Sequence, residues 1–269
     1  MIDLIWLILA GIGGGILAGL LGIGGGIIYV LVLPYALTKA GVSSELLAQF
    51  TIANSIFGVL FASLASNILN IRNHDFYPRE SLWVGLPGAF FSILVLATIV
   101  SSSWYSISFF YVLLILFLLF MLVSLYVQDK ETQKKDLSKN REARLGFAGI
   151  IGGSLASLTG LGGGAAVVPM LTTQLHLDIK MARSISLAMI FITSLTLTAF
   201  NLFTFPGISR LPYQSGFIYF PVAIPLTIGV LIGSPIGNRM GRFFSSATIK
   251  VLFSILIIVV IIEKLIYLL

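Results

Sequence analysis

The sequence predicts an all-α polytopic membrane protein made of two inverted repeats, each a glycine-broken hairpin-like segment plus three transmembrane helices. Three observations predict it. Of 269 residues, 58% are hydrophobic and only 10% charged, against roughly 25% charged in soluble proteins. With mean hydropathy at +1.06, most of the surface must face lipid. Apolar stretches recur near 4–37, 46–69, 81–100, 104–127, 145–175, 184–205, 216–237 and 247–268. Six have the length of one helix across a ~30 Å hydrocarbon core. The other two, the first and the fifth, are longer, broken by glycines, and copies of each other.

The first stretch follows Met1-Ile2-Asp3 without a basic n-region and outruns an h-region, so it is not expected to be a cleaved signal. A shift of 138 lays Gly11–Gly26 over Gly149–Gly164 with eleven of sixteen positions identical. A shift of 134 continues the match, pairing Ala48 with Ala182, Ala65 with Ala199 and Asn67 with Asn201. The later helices match only in Pro and Gly near their starts, as in Leu86-Pro87-Gly88 and Pro225 to Gly229. The expected division is therefore a first repeat over 1–127, a hydrophilic linker over 128–144 and a second repeat over 145–269. Symmetric halves of this kind are common in transporters.

Positive charge orients the chain. If each glycine-broken segment enters and leaves on one face, Arg72, Arg79, the six linker bases, Lys180, Arg183, Arg239, Arg242 and Lys250 share a face. Only Lys39, Arg210 and Lys264 fall on the other. Four crossings per half would divide the 16 basic residues ten against six, which hardly orients the chain. The uneven partition predicts inverted halves, a cytoplasmic linker and both termini outside, in the cell (inner) membrane.

The runs Gly22-Ile23-Gly24-Gly25-Gly26 and Gly160-Leu161-Gly162-Gly163-Gly164 are the sharpest local features. Glycine costs about 1 kcal/mol per residue in a helix relative to alanine, so each run should break one. The arm after each break, 27–37 or 165–175, would be roughly 16 Å long, about half a bilayer. Its first N–H groups, at the positive end of the helix dipole, form a potential anion site. The plain reading is close helix packing, which suits Gly229, Gly233, Gly237 and Gly241, four apart on one face. Such glycine-faced helices also offer a surface for self-association. Neither run ends in the Lys-Ser/Thr of a P-loop, and Gly160-x-Gly162-x-x-Ala165 lies in an apolar stretch with no strand–helix unit around it.

These paired Gly-x-Gly-Gly-Gly runs, each followed by an apolar arm and a second helix opening with small polar residues, resemble the TauE/SafE family. Gly160–Gly164 with Pro169 follows its glycine-then-proline pattern, while the first half has its proline late, at Pro34. The family's Gly-Thr-Ser element is replaced by Phe50-Thr51-Ile52 and Ser184-Ile185-Ser186. The resemblance spans nearly the whole chain. It implies a transporter, with export of sulfite or small organosulfonates such as sulfoacetate as the expected activity.

Gly24, Gly25, Gly26, Gly162, Gly163 and Gly164 are thus the expected backbone donors to a small anionic substrate. Gln49, Thr51, Asn54, Arg183, Ser184 and Ser186 are expected to complete the shell, since intramembrane polar groups usually face a cavity or another helix. Arg183 could fork onto two oxygens; otherwise it is an anchor charge at a helix end. All ten carboxylates fall in or beside expected loops, so no buried proton relay or carboxylate sodium site is visible. Zero cysteines exclude disulfides and thiolate metal sites, and no cofactor, metal or nucleic acid is expected. An enzyme reading would need Ser154 as nucleophile and His176 as base. The remaining alternatives are an anion channel and a membrane scaffold.

Overall fold

The structure is a computed structural model that describes residues 4–22, 24–102, 104–127, 140–206, 211–240 and 246–268. The first half gives α1 (Leu4–Leu21), α2 (Gly26–Lys39), α3 (Leu47–Arg72), α4 (Pro78–Val95) and α5 (Ile107–Val127). A π-helical turn, Leu96–Val100, extends α4. The second half gives α6 (Arg141–Thr159), α7 (Gly164–Gln174), α8 (Ile179–Phe203), α9 (Phe220–Met240) and α10 (Ser246–Leu268). Two short strands, β1 (Gln214–Ser215) and β2 (Ile218–Tyr219), pair antiparallel between α8 and α9. Among the described residues, α1, α3, α4 with its π turn, α5, α8, α9 and α10 are long and apolar enough to cross a membrane. This is a multi-pass membrane protein.

Burial ranks the helices. Two thirds (67%) of the apolar window of α3 and 61% of that of α8 are buried, against 28% for α10 and 33% for α5. So α3 and α8 are central posts, and α5 and α10 turn Leu116, Phe120, Val123, Ile258 and Ile262 outward to lipid. The posts run antiparallel: Asn67 Nδ2 donates to the Leu187 carbonyl at 2.9 Å, and beyond it Lys180 pairs with Asp75 at 2.8 Å.

Each glycine-broken stretch is a helical hairpin. Tyr29 of α2 packs on Gly14 of α1, and Lys39 shares a cleft with Trp6, so α2 returns to the end where α1 began. In the second half Val167 packs on Gly152, and Arg144 Nη1 donates to the Gln174 carbonyl at 3.2 Å. The same contact also separates the Ser154–His176 pair. Ser154 lies ten residues into α6 beyond Arg144, roughly 15 Å along the axis, whereas His176 follows Gln174 at the opposite end of that stretch.

The first helix of each half then packs on the fourth helix of the other. Helix α1 lies parallel to α9, with Gly11 against Leu226 and Gly229, Gly15 against Val230, and Gly19 against Ser234 and Asn238. Helix α6 lies parallel to α4, with Gly149 against Val84 and Gly153 against Gly88, and Ser157 Oγ donates to the Ser92 carbonyl at 2.7 Å. Side by side, Leu226, Val230 and Ser234 occupy the places of Val84, Gly88 and Ser92, a shift of 142. The close contacts with the glycines of α1 and α6 set this correspondence. Gly229, Gly233 and Gly237 face Ile8, Ile12 and Ile16 of α1. The face expected to support self-association is thus covered within the chain; Gly241 lies outside the described residues.

Contacts gather Arg79, Arg141, Arg144, Lys180, Arg183 and Arg239 at one end of the bundle. Lys39 lies at the other, as does Lys264, over the Tyr111 ring near the start of α5. Arg210, Arg242 and linker residues 128–139 lie outside the described residues. Helix α6 begins at Arg141, so the last part of the 128–144 segment is helical.

The α4–α6 seam sets a test. A Cβ at Gly153 would collide with the backbone of Gly88, whereas one at Gly146, on the same helix, meets nothing closer than 3.8 Å. Gly153→Ala should lower stability by about 1–3 kcal/mol through overpacking, and Gly146→Ala should raise it by up to about 1 kcal/mol through helix propensity. Thermal melts of the detergent-solubilised protein would read the difference; equal melting temperatures would refute the seam.

Candidate functional site

Each run bends the chain because three of its glycines hold a left-handed backbone. Gly22, Gly24 and Gly25 have φ of 71°, 89° and 70°, and Gly160, Gly162 and Gly163 have 70°, 88° and 72°. The matched values place glycine where other residues are strained. Gly25 and Gly163 are also the N-caps of α2 and α7. Beyond Gly163, helix geometry leaves the Gly164 and Ala165 amides without intrahelical acceptors.

The two breaks meet. A Cβ on Gly26 would lie 2.7 Å from Leu161 Cα, one on Gly24 3.3 Å from the Leu161 carbonyl oxygen, and one on Gly164 3.3 Å from the Gly22 carbonyl oxygen. Val59 of α3 and Ile190 of α8 border both breaks, next to Gly24 and Gly162. All six glycines named as candidate donors are buried. The duplicated runs therefore form one junction between the halves, not two separate seams.

The candidate side chains divide around it. Ser186 Oγ lies 3.5 Å from the Gly164 carbonyl oxygen, at the start of α7. Thr51 is fully buried, and its hydroxyl has no partner among the described residues. Gln49 Nε2 donates to the Val100 carbonyl (2.7 Å), closing the π turn. Asn54 donates to the Phe50 and Phe217 carbonyls and accepts from the Tyr219 amide, pinning the β1–β2 hairpin onto α3. Ser184 donates to the Asp75 carbonyl. Gln49, Asn54 and Ser184 thus hold structure in this state.

Arg183 lies beside the junction. Its Nη2 donates to the Gly19 carbonyl at 3.3 Å and to the Leu20 carbonyl, capping the last turn of α1 next to Gly22. It also faces a cavity of about 660 Å³ at the end of the bundle where the bases gather. Asn70, Asp75, Lys180, Asn238 and Arg239 are among the residues around it. Arg183 lies in the second turn of α8. The helix starts at Ile179, capped by Asp178 accepting from the Lys180 amide, five residues before the apolar stretch begins.

The family model for sulfite exporter TauE/SafE matches residues 5–263. The chain belongs to this family. No curated protein and no solved structure matches it. The TauE/SafE assignment makes it a member of a membrane transporter family and agrees with the duplicated glycine pattern. Two contributors to this TauE/SafE junction carry no signal in the sequence. Ser55 Oγ donates to the Gly160 carbonyl at 2.7 Å, and Tyr105 Oη donates to the Leu158 carbonyl at 2.6 Å. Leu158 is the repeat counterpart of Leu20, so Tyr105 does for α6 what Arg183 does for α1.

The junction predicts graded glycine sensitivity. A Cβ at Gly25 or Gly163 would collide with the backbone of Gly14 or Gly152, in addition to the left-handed strain. At Gly22 it meets only the Arg183 side chain, at 3.3 Å. Gly22→Ala should cost about 1–2 kcal/mol and remain monodisperse. Gly25→Ala and Gly163→Ala should lose the monodisperse peak in size-exclusion chromatography. Three equal profiles would contradict this geometry.

Proposed function

We propose that this chain is a secondary transporter that exports small sulfur-containing oxyanions, such as sulfite or a short sulfonate. Its halves, 1–127 and 145–269, act as inverted repeats in the cell membrane, with the 128–144 linker cytoplasmic. The observation that carries the reading is the buried junction, where one glycine break from each half abuts the other. Non-helical backbone at membrane depth is tolerated only when shielded by protein or lining a polar path. Here part of the shielding of each break comes from the opposite half, so relative movement of the halves would expose more of the Gly164 and Ala165 amides and of the corresponding start of α2. Backbone donors suit a weakly held oxyanion, because they bind it without placing full charges in lipid. Family membership supplies the sulfur chemistry.

The orientation rests on the basic end of the bundle and the positive-inside tendency. The natural absence of cysteine makes it testable. Ala143 and Ser44 are exposed, Ala143 at the start of α6 and Ser44 between α2 and α3. In intact cells an impermeant thiol reagent should label Ser44→Cys and spare Ala143→Cys; the reverse pattern would overturn the orientation.

Transport is tested in proteoliposomes. Sulfite or sulfoacetate flux should saturate and show counterflow, and absence of flux for every sulfur oxyanion tried would defeat the reading. Linear, non-saturating flux would indicate a channel. A bound substrate should also raise apparent stability, by about 2.7 kcal/mol at a hundredfold excess over its dissociation constant.

A further inference from the structure

The cavity beside Arg183 has a charge pattern that the glycine junction lacks. Three cationic side chains, Lys180, Arg183 and Arg239, line it against one carboxylate, Asp75. Asp75 is committed to Lys180 at 2.8 Å, so that pair is internally neutral and leaves the excess on the two arginines. Among the described residues Arg183 uses only Nη2, on the α1 carbonyls. Its Nε and Nη1 donors remain for a ligand, while the carbonyls fix where the guanidinium sits. A fixed guanidinium is a ready-made fork for an oxyanion. The wall also carries Asn238, whose buried Nδ2 has no acceptor among the described residues. A buried donor without a partner is costly, and an oxyanion would satisfy it. Arg239, in the last turn of α9, has an ordinary role as a charge at a helix C-terminus. The unsatisfied amide next to it in sequence is not explained by that role.

The opposite end of the bundle does not repeat this arrangement. There the carbonyl matching Leu20 is capped by the neutral Tyr105, the position matching Arg183 is Gln49, and Asn54 holds the β1–β2 hairpin in place. The cationic cavity is therefore a feature of one end, not a by-product of the duplication.

We propose that this cavity is a loading site for a small oxyanion bearing two negative charges, held by Arg183, Arg239 and Asn238 before it reaches the glycine junction. The site deepens the transport reading and rests on it for its role, but its occupancy can be measured without transport. Its volume, well above that of a bare oxyanion, leaves room for an organic substituent or retained water. The two-charge excess selects a dianion over a monoanion with the same head group.

Radiolabelled sulfate binding to the purified full-length protein in detergent tests this, with methanesulfonate as the monoanionic competitor. Sulfate should bind saturably, and methanesulfonate should compete at least about tenfold more weakly. Arg183→Gln and Arg239→Gln should each weaken sulfate binding about tenfold to a hundredfold, the scale of a hydrogen bond to a charged group. Arg183→Lys should recover part of the loss. Arg79→Gln, on the same end but paired with Glu142 away from the cavity, should bind sulfate like the parent protein and so control for general surface charge. If Arg183→Gln loses its monodisperse peak, Arg239→Gln, at an exposed helix end, carries the test. Unchanged sulfate affinity in Arg239→Gln, an equal loss in Arg79→Gln, or no sulfate binding by the parent protein would each overturn the loading site. Sulfite flux persisting in proteoliposomes without such binding would leave the transport reading standing alone. Specific binding without flux of any sulfur oxyanion would do the opposite.

Discussion

Two stretches of non-helical backbone must be hidden from lipid, and the rest of this structure follows from how that is done. An unshielded peptide group in hydrocarbon costs several kcal/mol, and each run presents several in a row. Neither half shields its own break alone. The turn before α2 is covered by Leu161 and the turn before α7 by Gly22, while Val59 and Ile190 border both. The hairpins are in turn held by helices of the opposite half, α1 on α9 and α6 on α4. Duplication is thus a structural requirement here, because one copy alone would leave its break open.

Small residues make that exchange of partners physically available. Along both exchanged seams at least one partner at each close contact is glycine or serine, and the helix backbones approach until a single methyl would collide. Close approach brings dispersion contacts between the helices that larger residues would prevent. Ser157 and Ser234 fill places where glycine is not needed and add hydrogen bonds of their own, Ser157 to Ser92 and Ser234 with Ser66. Glycine therefore serves close packing along the seams and the turns at the breaks. At Gly25 and Gly163 a contest between those two readings has no single winner, since the residue that opens the turn also lies flush against the hairpin's first arm.

Much of this was legible because glycine at positive φ leaves few alternatives in a sequence. The two runs, their 138-residue spacing and the broken hairpins could be read from identity alone. What stayed hidden has physical reasons. The start of α8 was placed late because Lys180 and Arg183 interrupt an apolar window, although the Asp178 cap begins the helix before them. The detailed correspondence of α4 with α9 has no sequence signal beyond Pro and Gly near their starts, because the matching contacts use inconspicuous positions such as Val84 and Leu226. Gln49 and Asn54 looked like a polar shell, yet their donors close a π turn and pin a hairpin that no periodicity announces. Tyr105 could not have been paired with Arg183, since neither residue type nor position corresponds; only the carbonyls they cap are related.

That last pair bears on how the protein can work. A carrier built from perfectly equivalent halves would offer its cargo the same surroundings at both ends. Here the equivalent carbonyls of Leu20 and Leu158 are capped by a guanidinium at one end and a phenol at the other. A guanidinium draws an anion from solution and holds it through charge; a phenol donates one neutral hydrogen bond. On the proposed pathway the two ends would then differ in affinity even if the movements linking them were symmetric. Equilibrium constants around a closed transport cycle cannot by themselves drive net flux, so the asymmetry would not set direction without a gradient. It would set where the site is filled at low concentration. If the linker faces the cytoplasm, that filling occurs inside, and release at the weaker end follows from the same inequality of Arg183 and Tyr105.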